Sequence, residues 1–327
     1  MAYLSNIRLE HPIYLKAFHQ IGRLSSAVDT TINLPDVSRI HAIIEFKKHW
    51  YIRDLSKNGV RVNGERLETH CPYQLKRGDQ IWFSSAQKEP FVIASLEPPK
   101  DILLPAYHDN NESHHLEPIY LKRYHFLPDD TSPELVVIYD QENQEWQCEH
   151  LTSSQCYVLK DGEQLEFSNK AWRLFKGAHS EEQETEYLDA QPDSNFRYIF
   201  NISQDEELTE LTIKDSQRCI DCQTRSHHYL TALLARYKAE DLRQNIPEPS
   251  QGWRSVDQLT KDMGISETHI NIQIHRARKQ LAELQETMGV MVPNIIERKR
   301  GRIRLAATNY QVIKGNQLEI DSSHWLN

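Results

Sequence analysis

The chain has 327 residues, 39% apolar and 26% charged, with a formal net charge of −9. Those fractions are those of a soluble globular protein with room for two or three domains. They leave no apolar run near the roughly 18 residues a membrane helix needs. The N-terminal stretch MAYLSNIRLEHPIYLKAF lacks a basic region followed by an apolar core and a cleavage site, so a cytoplasmic location without membrane contact is expected. Five cysteines, an odd and scattered set, argue for reduced thiols over a disulfide framework. Counting Lys and Arg against Asp and Glu, residues 1–97 carry +3, residues 98–220 carry −15 and residues 221–327 carry +3. Charge segregated in this way assigns different partners to different regions and makes both ends candidates for binding anions.

In chain order, residues 12–95 read as short strands punctuated by Pro, Asn-Gly and Gly-Asp, the pattern of an all-β sandwich. Residues 97–118, rich in Pro, Asn, Asp and His, read as a linker. From 118 to 176 the chain echoes itself. PIYLK stands at 12–16 and 118–122, LKRGDQIWFS at 75–84 is answered by LKDGEQLEFS at 159–168, and Trp50 and Trp146 fall between in matching order. Both a partial repeat and a chance likeness of short β segments fit; a second copy would be about 20 residues shorter and would lack VSRIHA and SKNGVRVNG. Residues 179–195 form an acidic second linker. Three strand-like runs then precede a helix with Leu230, Leu233, Leu234 and Tyr237 at helical spacing. A second helix, with Val256, Leu259 and Met263 on one face, is framed by a Ser255 cap and a Gly264 stop. A third places Ile270, Ile274, Ala277 and Leu281 inward, and a basic hairpin follows. Strands, three helices and a terminal hairpin make a winged-helix layout.

In the first region the motifs are Gly22-Arg23, Ser38-Arg39-x-His41-Ala42, Asp54-Leu55-Ser56-x-Asn58-Gly59 and Val62-Asn63-Gly64. Their order and spacing resemble the forkhead-associated (FHA) domain family over roughly residues 12–95. The resemblance implies a β-sandwich whose end loops bind phosphothreonine peptides. It assigns Arg23 and Ser38 to the phosphate oxygens and Asn58 to the peptide backbone. Arg39, Lys57 and Asn63 would line the rim, Gly22 and Gly59 would permit the turns, and His41 would brace the loop from within. Lys57 departs from the serine or threonine of many members, so the peptide preference is open. The residue chemistry agrees, since a dianionic phosphate suits a guanidinium fork joined by hydroxyl and amide donors on a rigid scaffold. A hydrolase would need Ser38 and His41 on one face, whereas residues three apart on a strand point to opposite faces.

In the last region, GWRSVDQLTKDMGISETHINIQIHRARKQL followed by IIERKRGRIRL resembles the OmpR/PhoB-type winged-helix family of bacterial response regulators over roughly residues 198–306. Its Arg-x-Arg-Lys helix end and the Arg300-Gly301 pair at the hairpin tip carry the likeness, while no receiver domain is present. With the apolar face inward, the opposite face of the third helix shows Thr268, Asn271, Ile272, His275, Arg276 and Lys279, flanked by Gln273 and Arg278. That mixture suits a major groove: Arg276 and Asn271 for base edges, Ile272 for a thymine methyl, and Arg278, Lys279, Arg298, Arg300 and Arg302 for phosphates. A winged helix used only for protein contacts fits the same residues.

Cys219-Ile-Asp-Cys222 has no second pair at metal-ligand spacing, so a strand edge is the expected role and no metal or cofactor is called for. The expected plan is an FHA domain at 1–97, an acidic linker and divergent β-rich region at 98–195, a winged-helix domain at 196–310 and a tail at 311–327. The expected function is that of a non-enzymatic bacterial regulator. It would join a phosphothreonine protein to double-stranded DNA, with a phospho-dependent scaffold for kinase signalling or secretion as the alternative. A homo-oligomer is left open.

Overall fold

In the computed structural model, which describes residues 1–7, 11–106, 116–153, 155–178, 196–289, 292–299 and 301–325, the first hundred residues alternate buried and exposed side chains along short strands. They are β1 (Tyr3–Ser5), β2 (Ile13–Tyr14), β3 (Phe18–Gly22), β4 (Thr30–Thr31), β5 (Ala42–Lys47), β6 (His49–Asp54), β7 (Arg61–Val62), β8 (Glu65–Arg66), β9 (Pro72–Gln74), β10 (Gln80–Trp82) and β11 (Phe91–Ser95). One sheet runs β2-β1-β11-β10-β7-β8 and the other β4-β3-β5-β6-β9. Leu4, Val62, Ile81 and Ile93 from the first meet Ile21, Ile44, Trp50 and Ile52 from the second in a single core. This is the sandwich that the alternation predicts. It leaves the β3–β4, β4–β5 and β6–β7 connections as loops on a stiff frame.

Next come β12 (Ile102–Pro105), β13 (Ile119–Tyr120), β14 (Tyr124–Leu127), β15 (Leu135–Asp140), β16 (Glu145–His150), β17 (Cys156–Leu159), β18 (Gln164–Phe167) and β19 (Lys170–Phe175). The expected linker at 97–118 is corrected in part. Ile102 and Leu103 are fully buried on β12, because the run DILLP has too much apolar surface to stay in water. Residues 107–115 and the acidic run at 179–195 lie outside the described residues. The chain divides into two compact units, and these strands are shared between them. The sheet β13-β12-β19-β18 belongs with the first sandwich, where the Ala17 amide donates to the Gly177 carbonyl at 2.7 Å and Lys16 pairs with Asp161 at 2.9 Å. The sheet β14-β15-β16-β17 belongs with the C-terminal unit.

The echoed sequences make the same local structure. At Gly78 the turn closes with the Asp79 amide donating to Lys76 O and the Asp79 carboxylate accepting from the Lys76 amide at 2.8 Å. At Gly162 the Glu163 amide donates to Lys160 O, and its carboxylate accepts from the Lys160 amide at 2.7 Å. Both glycines sit at positive φ, +91° and +79°, where only glycine is unstrained. Strand orders also correspond: β2-β1-β11-β10 with β13-β12-β19-β18, and β3-β5-β6-β9 with β14-β15-β16-β17.

The C-terminal unit adds β20 (Arg197–Ile202), β21 (Thr209–Lys214), β22 (Cys219–Thr224), α1 (Ser226–Arg243), β23 (Arg254–Ser255), α2 (Val256–Met263), α3 (Glu267–Met288), β24 (Ile296–Lys299), β25 (Arg302–Leu305), β26 (Tyr310–Lys314) and β27 (Gln317–Asp321). Ser255 caps α2 by accepting from the Gln258 amide, and Gly264 ends it in the left-handed region, as the sequence predicts. Ile270, Ile274, Ala277 and Leu281 of α3 are all buried, packed with Leu230 and Leu234 of α1 and Leu259 of α2. Residues 311–327, expected as a tail, are corrected: the alternating segment YQVIKGNQLEID at 310–321 supplies β26 and β27. β26 pairs in parallel with β20, Phe200 opposite Val312, extending the sheet to β22-β21-β20-β26-β27. A shorter sheet, β23-β25-β24, carries the basic hairpin. Among the described residues no helix is long and apolar enough to cross a membrane.

Candidate functional site

Three loops at one end of the N-terminal sandwich are tied to each other by hydrogen bonds. As β3 ends, Gly22 runs against the chain at Arg39, and a Cβ at Gly22 would overlap the Arg39 carbonyl. The approach lets the Arg23 amide donate to Ser38 O at 2.9 Å and Arg23 Nε donate to Val37 O at 3.2 Å. Among the described residues no group takes the terminal guanidinium nitrogens, and the side chain is exposed. The Lys57 amide, from the β6–β7 loop, donates to Ser38 Oγ at 3.3 Å, and Asn58 Nδ2 donates to Asp36 O at 2.7 Å. Arg23, Ser38, Lys57 and Asn58 therefore share one mouth, with Arg39 exposed beside it.

His41 is fully buried, and its Nδ1 accepts from the Ser38 amide at 2.9 Å, which orients the serine from beneath. Burial pushes the His41 pKa down against the opposing charge of Asp54, so the ring is neutral and suited to accept at Nδ1. The imidazole bonds to the Ser38 backbone amide and not to its hydroxyl. Gly59 takes φ +95°, and a Cβ there would overlap Arg66. Asn63 is the exception among the expected rim residues. Its Nδ2 donates to Asp79 Oδ1 at 2.8 Å and its Oδ1 accepts from the Gln80 amide at 3.0 Å, so its amide holds the β7–β8 turn rather than facing a ligand.

Two carboxylates given no role by the motifs support these loops. Asp54, fully buried, accepts from the Ser56 and Val60 amides and shapes the β6–β7 loop. The Asp-x-Ser spacing of an Asx turn was the available signal. Asp36 accepts from Ser84 Oγ and from the amide and hydroxyl of Ser85, which hold its pKa below the usual carboxylate range and anchor the β4–β5 loop. Nothing local in sequence announces that link across almost fifty residues.

The second expected site departs from expectation. Asn271 and His275 of α3 are fully buried, because the β14–β17 sheet packs on the face predicted to be open. Asn271 Nδ2 donates to Leu151 O at 3.1 Å, and Ile272 packs against Tyr124, Phe126, Val136 and Leu151. His275 bonds through Nδ1 to the Tyr124 hydroxyl, and its Nε2 lies 3.3 Å from Glu149. Glu149 also pairs with Arg298 at 3.1 Å. Burial lowers the His275 pKa despite that carboxylate. Arg276 donates to Asp130 O at 2.8 Å, and Lys279 pairs with the Asp130 carboxylate at 2.6 Å. Thr268 is half-buried, Gln273 accepts from Ser226 Oγ, and Arg278 donates to Ile296 O. Arg302 is exposed on the hairpin, and Arg300 lies outside the described residues.

Cys219 is exposed and Cys222 is buried, its thiol pushed up to about 12 by desolvation, so the pair does not converge on a metal. Among the described residues no cluster of His, Cys, Asp and Glu is arranged to hold one.

Residues 19–84 match the FHA domain family, and this segment is an FHA domain. The ovarian-specific serine/threonine-protein kinase Lok of Drosophila melanogaster is 34% identical over 94 residues, 26% of this chain and 20% of the kinase. The chain thus spans about a fifth of that curated relative. Among solved structures, Mycobacterium tuberculosis EmbR in complex with a low-affinity phosphopeptide is 33% identical, covering 28% of this chain and 24% of that one, with a TM-score of 0.25. The N-terminal FHA domain of S. cerevisiae Rad53p in complex with a phosphothreonine peptide is 19% identical, covering 28% and 90%, with a TM-score of 0.26.

Proposed function

We propose that the FHA domain binds a phosphothreonine-containing protein and that the C-terminal unit is a winged-helix domain able to bind double-stranded DNA. The chain is then a phosphothreonine-dependent regulator with no catalytic role. The observation that carries the first half is the loop cluster itself. Ser38 is held by His41 from below and by the Lys57 amide from the side, and the Arg23 guanidinium lies open to solvent next to it. A phosphate dianion satisfies such donors better than water does, because charge-assisted bonds to a preorganised fork are among the stronger polar contacts. Support for the second half is the order of elements from β20 to β25, the basic face of α3 and the exposed cations Lys299 and Arg302 on the hairpin.

The β12–β19 strands read, on this proposal, as a second FHA-like copy that shows, among the described residues, no counterparts of β4, β7 and β8. Those are the strands flanking the phosphate loops, so the copy has no reader of that kind among the described residues.

A second reading, a phospho-dependent scaffold that never touches DNA, is favoured by the burial of Asn271 and His275 and predicts no duplex binding by any form of the chain. For the phosphothreonine reading the experiment is capture of partner proteins from a cell lysate by the full chain, with and without prior phosphatase treatment. Capture is expected to need the phosphate and to disappear in Arg23→Ala and Ser38→Ala. Equal capture after phosphatase treatment, or by both variants, would overturn it.

A further inference from the structure

We infer that the β14–β17 sheet is a built-in competitor for the DNA-facing side of α3, so that the chain engages duplex only when this sheet is displaced. The inference rests on the proposed winged-helix reading and adds the state in which that domain is held. The contacts match the chemistry of a groove piece by piece. Lys279 and Arg298, cations suited to phosphates, meet the carboxylates of Asp130 and Glu149 at 2.6 and 3.1 Å. Arg276 and Asn271, suited to base edges, donate to the carbonyls of Asp130 and Leu151. Ile272, suited to a thymine methyl, sits in an apolar patch of Tyr124, Phe126, Val136 and Leu151.

Groups engaged in this way cannot also enter a groove, so the two partners exclude each other. Apparent DNA affinity then falls by the fraction of molecules in which the face is open. The contact is also built unlike an ordinary core. An apolar helix face suffices to bury a sheet, yet here a fully buried histidine joins Tyr124, and Asp130 accepts from two cations at an exposed turn. A seam with polar partners on both sides reopens at lower cost than a dry one, because each group also finds partners in water or in DNA.

The test uses the full chain and a random-sequence DNA duplex at low salt. The double variant Asp130→Lys, Glu149→Gln weakens the sheet's side of the seam and leaves α3 intact. Ile272→Cys, placed separately in wild-type and double-variant backgrounds, reports opening through its rate of thiol labelling, mapped by peptide mass. Expected are duplex binding at least about 10-fold tighter in the double variant and labelling at least about 10-fold faster at position 272. If the double variant loses its cooperative melt, Asp130→Lys alone, at an exposed turn, carries the same comparison. Equal duplex affinity in wild type and variant, or equal labelling, overturns the competitor and leaves DNA binding standing. Faster labelling with no duplex binding by either form overturns the winged-helix reading and this inference with it.

Discussion

Gly22 shows how much of the binding mouth rests on single atoms. Its Cα passes so close to Arg39 that a methyl group would overlap the carbonyl oxygen, and the hydrogen bonds from the Arg23 and Leu24 amides to Ser38 and Arg39 depend on that approach. Gly22→Ala should therefore cost about 1–3 kcal/mol of stability, the range for overpacking a rigid site, and should also weaken phosphopeptide binding. Gly64, whose Cβ would meet open space, is the control. Its φ of +86° makes alanine strained there by about 1 kcal/mol, with no effect on binding expected. Denaturant unfolding with peptide titration checks both. At this scale the loop cluster is legible, because Gly22, Arg23, Ser38, His41 and Asn58 stand in a fixed family order and the fold brings them to one end of the sandwich. Asn63, expected at the rim of the site, holds the β7–β8 turn instead. Its partner Asp79 lies sixteen residues on, just before β10.

At the scale of elements, α1 is pinned to α3 by two histidines on one acceptor. His227 Nε2 and His228 Nε2 lie 2.9 and 2.8 Å from Gln280 Oε1, whose amide nitrogen donates to Cys222 O. Both histidines are neutral donors at Nε2, and burial pushes His227 down to about 4, outweighing the bond to Gln280. His228 is lowered for the same reason. The folded state thus binds these protons less readily than the unfolded chain, whose histidines titrate near 6.5. Stability is fully present above that value and falls as pH drops toward the folded pKa, with His227 alone worth about 2 kcal/mol by pH 5. Thermal melts of the C-terminal unit should move down between pH 7 and 5, and His227→Gln should shrink that movement; an equal fall in the variant would count against the assignment. The helices and the two ends of α2 are readable from local periodicity and capping residues, whereas β12 and β26 read as linker and tail. Alternation tells a strand from a loop but not its partner, and Phe200 finds Val312 more than a hundred residues on.

For the whole molecule, the acidic middle was visible as a charge imbalance, and two of its carboxylates, Asp130 and Glu149, do meet cations of the C-terminal unit. Sequence alone could not show that α3's outward face would be the one covered, since its polar residues suit a sheet seam as well as a groove. On the proposed function, the phosphate-reading end is the input and the covered helix the output of one polypeptide. Phosphothreonine reading by the FHA domain is tested by direct titration of the full chain with a degenerate peptide library carrying phosphothreonine, phosphoserine or unmodified threonine at one fixed position, followed by fluorescence anisotropy. Binding is expected to the phosphothreonine library alone, weakened about 10- to 100-fold in Arg23→Ala, the loss of one charged hydrogen-bonded partner at about 1.5–3 kcal/mol. Equal binding of the unmodified library, or an unchanged affinity in Arg23→Ala, would contradict it.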